Sequence, residues 1–137
     1  MGERKRIGIL TSGGDCAGLN AVIRAVVHHA VGNYGWEVLG IYQATQGLMS
    51  RPPKAISFEV EKVDRLLTLG GTVLGTTNRG NPFAFPMPDG TILDRSQEII
   101  DGYHQLGLEA LIGIGGDGSL AILHKLAQQG GMNFVGI

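Results

Sequence analysis

Two short stretches of this chain repeat one arrangement: an apolar run, a turn of glycine and aspartate, and a segment with helical periodicity. The first is Leu10-Thr11-Ser12-Gly13-Gly14-Asp15 and the second is Ile114-Gly115-Gly116-Asp117-Gly118-Ser119. A strand that turns directly into a helix needs backbone freedom at the turn, and glycine supplies it. Two such units restrict the chain to alternating strand and helix. The expected fold is therefore α/β: a doubly wound, mostly parallel sheet with helices on both faces, Rossmann-like and truncated.

The remaining patterning fills in this frame. Arg6 to Thr11 predicts a buried strand. Leu19, Val22, Ile23, Val26, Val27 and Ala30 recur at helical spacing until Gly32 and Asn33 end the run. Trp36 to Tyr42 predicts a second strand, and strand–helix–strand in one sheet means parallel pairing with a right-handed crossover. Arg51-Pro52-Pro53-Lys54 reads as a loop, and Val60, Val63, Leu66 and Leu67 as a short helix. Gly70 to Gly80 reads as a glycine- and threonine-rich loop, and Asn81 to Gly90 as an ordered excursion without long helix or strand. A helix is expected over Ser96 to Leu106, with Ile99, Ile100, Tyr103 and Leu106 on one side, then a buried strand over Ala110 to Ile114. Ser119 reads as the cap of a last helix that buries Leu120, Leu123, Leu126 and Ala127 and stops at Gly130-Gly131. Asn133 to Ile137 begins another strand, so residues 1–137 read as the first part of a longer protein, incomplete at its C-terminal end.

Composition narrows the function classes. Glycine supplies 23 of 137 residues, far above the norm of about 7%, with no collagen period. Eleven Lys and Arg stand against 12 Asp and Glu, a net charge of −1, so no basic field exists for general nucleic-acid or anionic-membrane binding. No apolar run approaches the roughly 18 residues of a membrane helix, and no secretory signal opens the chain. The lone cysteine, Cys16, forms no internal disulfide, and a cytoplasmic location is expected. Without a partner base, Cys16 reads as a small buried residue; His28, His29, His104 and His124 read as solvated or packed imidazoles, and no zinc-cluster spacing is present.

In open α/β sheets ligands bind at the carboxyl ends of strands, where glycine-rich turns present backbone N–H groups to an anion and the helix dipole favours it. A single Gly-Gly-Asp turn is equally well an ordinary connection with Asp as the cap; two of them, both after buried strands, favour a site. Asp117 is the sharper clue, since a carboxylate beside phosphates needs a cation between them. Mg²⁺ is held by one or two carboxylates plus phosphate oxygens, so the acid fits a nucleotide–metal complex. Gly118 would leave room for phosphate, Ser119 offers a hydroxyl, and Arg79 in the Gly70–Gly80 loop suits phosphate oxygens. Gly113-x-Gly115-x-x-Gly118 also matches the dinucleotide fingerprint, whose acidic partner about 20 residues on would fall at the chain end.

Three segments in this order resemble the N-terminal part of the ATP-dependent 6-phosphofructokinases: Ile9 to Asn20, Gly70-Gly71-Thr72-Val73-Leu74-Gly75-Thr76, and Ile114 to Ser119. The last alone is shared with NAD kinases and lipid kinases. The resemblance implies transfer of the γ-phosphoryl of Mg-ATP to fructose 6-phosphate, in glycolysis, by a protein that is a homo-oligomer (a homotetramer in the family) when full length. It implies that Gly14 contacts the nucleotide phosphates, that Arg79 and Gly80 lie in the nucleotide site, and that Gly116, Asp117, Gly118 and Ser119 form the phosphate turn with Asp117 carrying Mg²⁺. Glycine at 118 resembles the ATP users, where pyrophosphate users carry Asp. The family's catalytic base, in a Thr-Ile-Asp-Asn-Asp segment, would follow Ile137, so these residues alone are expected to be inactive. Arg24 matches the first of two effector-site arginines of the bacterial enzymes, whereas His28 holds the second position; Thr77 to Pro82 is longer than in the compact bacterial members. Three further readings stand beside this one: a NAD-kinase- or lipid-kinase-like protein, a non-catalytic nucleotide-binding fragment, and a dinucleotide-binding oxidoreductase module.

Overall fold

Alternation along each strand divides the apolar residues between two faces of one sheet. The computed structural model describes residues 5–12, 19–65, 74–75 and 81–137. Its elements are β1 (Arg6–Thr11), α1 (Leu19–Val27), which widens into π-type turns over His28–Asn33, β2 (Glu37–Ile41), α2 (Thr45–Met49), β3 (Ala55–Phe58), α3 (Val60–Asp64), the hairpin β4 (Phe85–Pro86) and β5 (Ile92–Leu93), α4 (Ser96–Gln105), β6 (Ala110–Ile114), α5 (Asp117–Gly130) and β7 (Phe134–Gly136). The main sheet has the order β3-β2-β1-β6-β7, parallel except for β3, which runs antiparallel to β2.

On one face Ile7, Ile9, Val38 and Ile114 pack with Leu19, Ile23 and Val27 of α1 and Val63 of α3. On the other, Leu10, Leu39, Ile41 and Leu111 meet Leu48 of α2, Ile99, Ile100 and Tyr103 of α4, and Leu123 and Leu126 of α5. Each fully buried aliphatic side chain contributes roughly 1.5–3 kcal/mol. Helices therefore cover both faces, as the doubly wound reading requires. Right-handed crossovers account for the split: the chain moves one way from β1 through α1 to β2, and the opposite way from β6 through α5 to β7.

Several local expectations change. The one-turn α2 and the antiparallel β3 were not legible, and the excursion after Asn81 contains the small β4–β5 hairpin. Ser119 is not the cap: α5 begins at Asp117, with Gly116 in the cap position and Ser119 inside the first turn. At the other end Gly131 takes φ +63° and closes the helix, as expected of a glycine there. Leu66 and Leu67 lie outside the described residues.

One contact fixes how α2 meets α4. A Cβ on Gly102 would overlap the carbonyl group of Leu48, which is backbone and cannot swing aside. Gly102→Ala should therefore destabilise the fold by about 1–3 kcal/mol, an overpacking cost, read as a lower urea midpoint with unchanged slope. The start of α4 is held differently. Asp94 accepts hydrogen bonds from the Ser96 backbone N–H (2.9 Å) and hydroxyl (2.5 Å), and the Ser96 bonds hold its carboxyl below the usual range. A lowered folded-state pKa means that this contribution is complete above the unfolded-state value and is lost as pH falls through the folded one. The stability difference between parent and Asp94→Asn should accordingly shrink on acidification, as followed by thermal melts between pH 7 and pH 3.

Candidate functional site

The strands that lead into the two Gly-Asp segments, β1 and β6, are neighbours and end together, Thr11 opposite Ile114, although Gly13-Gly14-Asp15 itself lies outside the described residues. The Ser12 N–H donates to the Ile114 carbonyl at 2.8 Å, so the two strands stay joined to the last residue before each turn. Since α1 and α5 pack on opposite faces of the sheet, the adjoining ends of β1 and β6 form a topological switch point, the place at which open α/β sheets bind ligands. A third segment is tied to the same edge. Thr11, wholly buried, donates its hydroxyl to the Gly75 carbonyl at 3.0 Å, and the Gln43 N–H donates to the Leu74 carbonyl at 2.9 Å. Thus Leu74-Gly75, from the glycine- and threonine-rich loop, is pinned to the end of β1 and to Gln43. Sequence reasoning missed Thr11, whose one signal is a hydroxyl at the end of an otherwise apolar strand.

The turn into α5 has the form of an anion cradle. The first helical bond runs from the Leu120 N–H to the Gly116 carbonyl at 2.9 Å, so the N–H groups of Asp117, Gly118 and Ser119 precede the intrahelical ladder. Fourteen aligned residues put the positive end of the helix dipole there. Asp117, the first helical residue, is exposed, and Ser119 is half-buried. Among the described residues a Cβ added to Gly116 or Gly118 would meet nothing within 4 Å, so packing against them demands neither glycine.

That result separates the glycines of the dinucleotide fingerprint. A Cβ on Gly113 would overlap Leu123 at 2.5 Å and the Phe134 ring at 2.9 Å, and one on Gly115 would meet the Ser12 carbonyl oxygen at 2.7 Å. Those two glycines serve helix–strand and strand–strand packing. In the fingerprint the middle glycine is the one that lets a pyrophosphate approach, whereas here Gly118 is the one facing open space. Among the described residues no group of three or more His, Cys, Asp or Glu gathers. One carboxylate beside free amides and open space fits Mg²⁺ brought in with phosphates.

Of the other residues singled out, Gly14, Arg79, Gly80 and Cys16 lie outside the described residues. Arg24 and His28 both turn onto Asp64, at 3.1 Å and 2.5 Å, and hydrogen bonding from His28 leads the causes that hold the Asp64 carboxyl below its usual range. His29 and His104 are exposed, each with one ring contact, edge-on to Tyr34 and Tyr103, in keeping with solvated or packed imidazoles.

A family model described as phosphofructokinase matches residues 6–137. The ATP-dependent 6-phosphofructokinase 1 of Synechocystis sp. is 74% identical over 137 residues, which is 100% of this chain and 38% of the relative. That of Nostoc sp. is 72% identical with the same coverage, 100% of this chain and 38% of the relative. Among solved structures, phosphofructokinase from Saccharomyces cerevisiae superposes with a TM-score of 0.73 at 29% identity, covering 98% of this chain and 20% of the yeast chain. The T-state phosphofructokinase of Pichia pastoris gives a TM-score of 0.78 at 26% identity, covering 99% of this chain and 15% of that one. The chain thus spans little more than a third of the length of the curated relatives it matches.

Proposed function

Because the chain belongs to the phosphofructokinase family, we propose that it is the nucleotide-binding part of an ATP-dependent 6-phosphofructokinase. In this reading the complete protein phosphorylates fructose 6-phosphate to fructose 1,6-bisphosphate in the cytoplasm, as a homo-oligomer. No helix among the described residues is long and apolar enough to cross a membrane. The observation that carries the reading is the Gly-Asp turn into α5 at the switch point, with Gly116 and Gly118 opening onto space that the described residues leave empty.

The residues divide the work as follows. Asp117 holds Mg²⁺, which when bound screens the triphosphate and the charge that builds up on the transferring group. The amides of Asp117, Gly118 and Ser119 donate to phosphate oxygens from fixed positions, and the dipole of α5 adds to their field without reorganisation during the reaction. Gly116 and Gly118 let the phosphates come close to the backbone. The Ser119 hydroxyl supplies one more donor. Gly14 contacts the phosphates from the turn after β1, and Arg79 and Gly80 complete the nucleotide site from the loop that Thr11 pins at Gly75. A base that takes the proton of the acceptor hydroxyl, and cations for the sugar phosphate, are assigned to the rest of the protein; transfer depends on positioning, so these residues alone should not turn over.

The reading is tested in a complete enzyme made by joining these 137 residues to the remainder of the Synechocystis relative. It should form fructose 1,6-bisphosphate from Mg-ATP and bind ATP at least about tenfold more tightly than NAD or NADP in calorimetry, a difference of about 1.4 kcal/mol. Tighter binding of the dinucleotide, with no sugar phosphorylation, would replace this reading with the oxidoreductase one.

A further inference from the structure

We propose that a polar cavity of about 280 Å³ between α2, the β4–β5 hairpin and the start of α4 binds a small phosphate-bearing metabolite and relays its occupancy to the nucleotide loop. Its polar rim is Gln43, Gln46, Ser50, Lys54 and Arg95; Met49 and Phe85 close it below. Two cations and two amides line one space with Ser50, whose hydroxyl donates to the Gln46 carbonyl at 3.2 Å, and no carboxylate lines it among the described residues. That donor-rich set calls for an acceptor-rich dianion. The volume lies under the roughly 300–1,000 Å³ of sites for drug-sized ligands, so a compact phosphate ester fits and a nucleotide does not.

The cavity is built rather than fortuitous. Glu98 grips Arg95 with both carboxylate oxygens, at 2.7 Å and 3.0 Å, while the guanidinium lies over the Phe85 ring at 4.9 Å. This uses two of its five donors and fixes the direction of the others, which lowers the ordering cost of binding. Lys54 is exposed and belongs to none of the ion pairs found among the described residues.

The connection to the nucleotide loop runs through Gln43. Gln43 and Ala44 have φ of +55° and +54°, the described non-glycine positions with positive φ, and the Ala44 side chain is wholly buried in the core. Residues held this way persist only where the surroundings over-determine them. The Gln43 N–H is bonded to the Leu74 carbonyl, and the neighbouring Gly75 carbonyl accepts from Thr11. A ligand that draws on the Gln43 side chain therefore acts on a turn bonded to the segment that Thr11 holds at the end of β1. This second half rests on the nucleotide reading; binding itself does not.

The experiment uses the complete enzyme with fructose 6-phosphate saturating, so that the acceptor's own phosphate site is filled, and titrates inorganic phosphate by calorimetry. Binding should persist in Asp117→Asn and weaken at least about tenfold in Lys54→Glu. Phosphate should also shift the parent's KM for ATP by about 5–150-fold, the usual range of allosteric coupling, and leave the KM of Lys54→Glu in place. Identical phosphate isotherms for parent and Lys54→Glu, or no saturable binding in the parent, overturn the proposal. Phosphate binding that depends on Lys54 in a protein that fails to use ATP supports the cavity and removes the kinase reading instead.

Discussion

Asp117→Asn in the complete enzyme should lower kcat by about a thousandfold or more while the protein melts close to the parent's temperature. The rate effect follows from what one carboxylate is asked to do. Metal-assisted charge stabilisation is worth several kcal/mol in phosphoryl transfer, and each 1.36 kcal/mol is a factor of ten. Asparagine keeps the size and the carbonyl oxygen but gives up the charge, so the cation is held by phosphate oxygens alone. Folding is insulated from the change: Asp117 is exposed, whereas α5 is anchored further along by Leu123, Leu126 and Ala127. The sensitive readout is magnesium dependence. In the parent, ATP affinity should rise steeply with added Mg²⁺; in the variant that response should flatten. A parental kcat at saturating Mg-ATP would remove Asp117 from the metal site and with it the interpretation of the turn.

How far this site and its scaffold can be read from the residues depends on how local the cause is. The strand Ala110–Ile114 and the helix beginning at Ser96 match their sequence patterns because burial and periodicity act over the same few residues. The fragments α2 and β3 escape, since five and four residues are too few to show a period. Gly47, inside α2, even argues against helix by propensity; it is there because the Tyr42 and Lys54 carbonyls come so close that a Cβ would not fit. That reason is tertiary and leaves no local mark. The same holds for Ser119. Its hydroxyl makes it a good cap on paper, but the cap falls at Gly116, which has backbone ψ near 180° and leaves Asp117 as the first helical residue. The site was legible as two Gly-Asp turns, because glycine and an acid after a buried strand carry their chemistry with them. Thr11 and the Gln43-Ala44 turn were not, because a strand-end hydroxyl and a buried alanine acquire meaning only when Leu74 and Gly75 arrive beside them.

Gly118→Asp separates folding from function most sharply, because the two should move in opposite directions. Within the first turn of α5 aspartate is a slightly better helix residue than glycine, and an acid there is favoured by the dipole by about 0.3–1 kcal/mol. The added Cβ meets nothing within 4 Å among the described residues, so packing there does not offset the gain, and urea unfolding should show a stability equal to or above the parent's. ATP meets a different surface. Two like charges about 5 Å apart at an effective dielectric constant of about 20 repel by roughly 3 kcal/mol, so kcat/KM for ATP should fall by about a hundredfold. Gly118→Ala divides the cause. It adds the Cβ without the charge, and should leave most ATP use in place if charge dominates, or lose nearly as much as the aspartate variant if close approach of the phosphates to the backbone is what the glycine provides. Adding salt discriminates further, since screening should restore part of the activity of the aspartate variant and none of that of the alanine one. Parental ATP kinetics in both variants would mean that the open space above this turn is not where the phosphates lie.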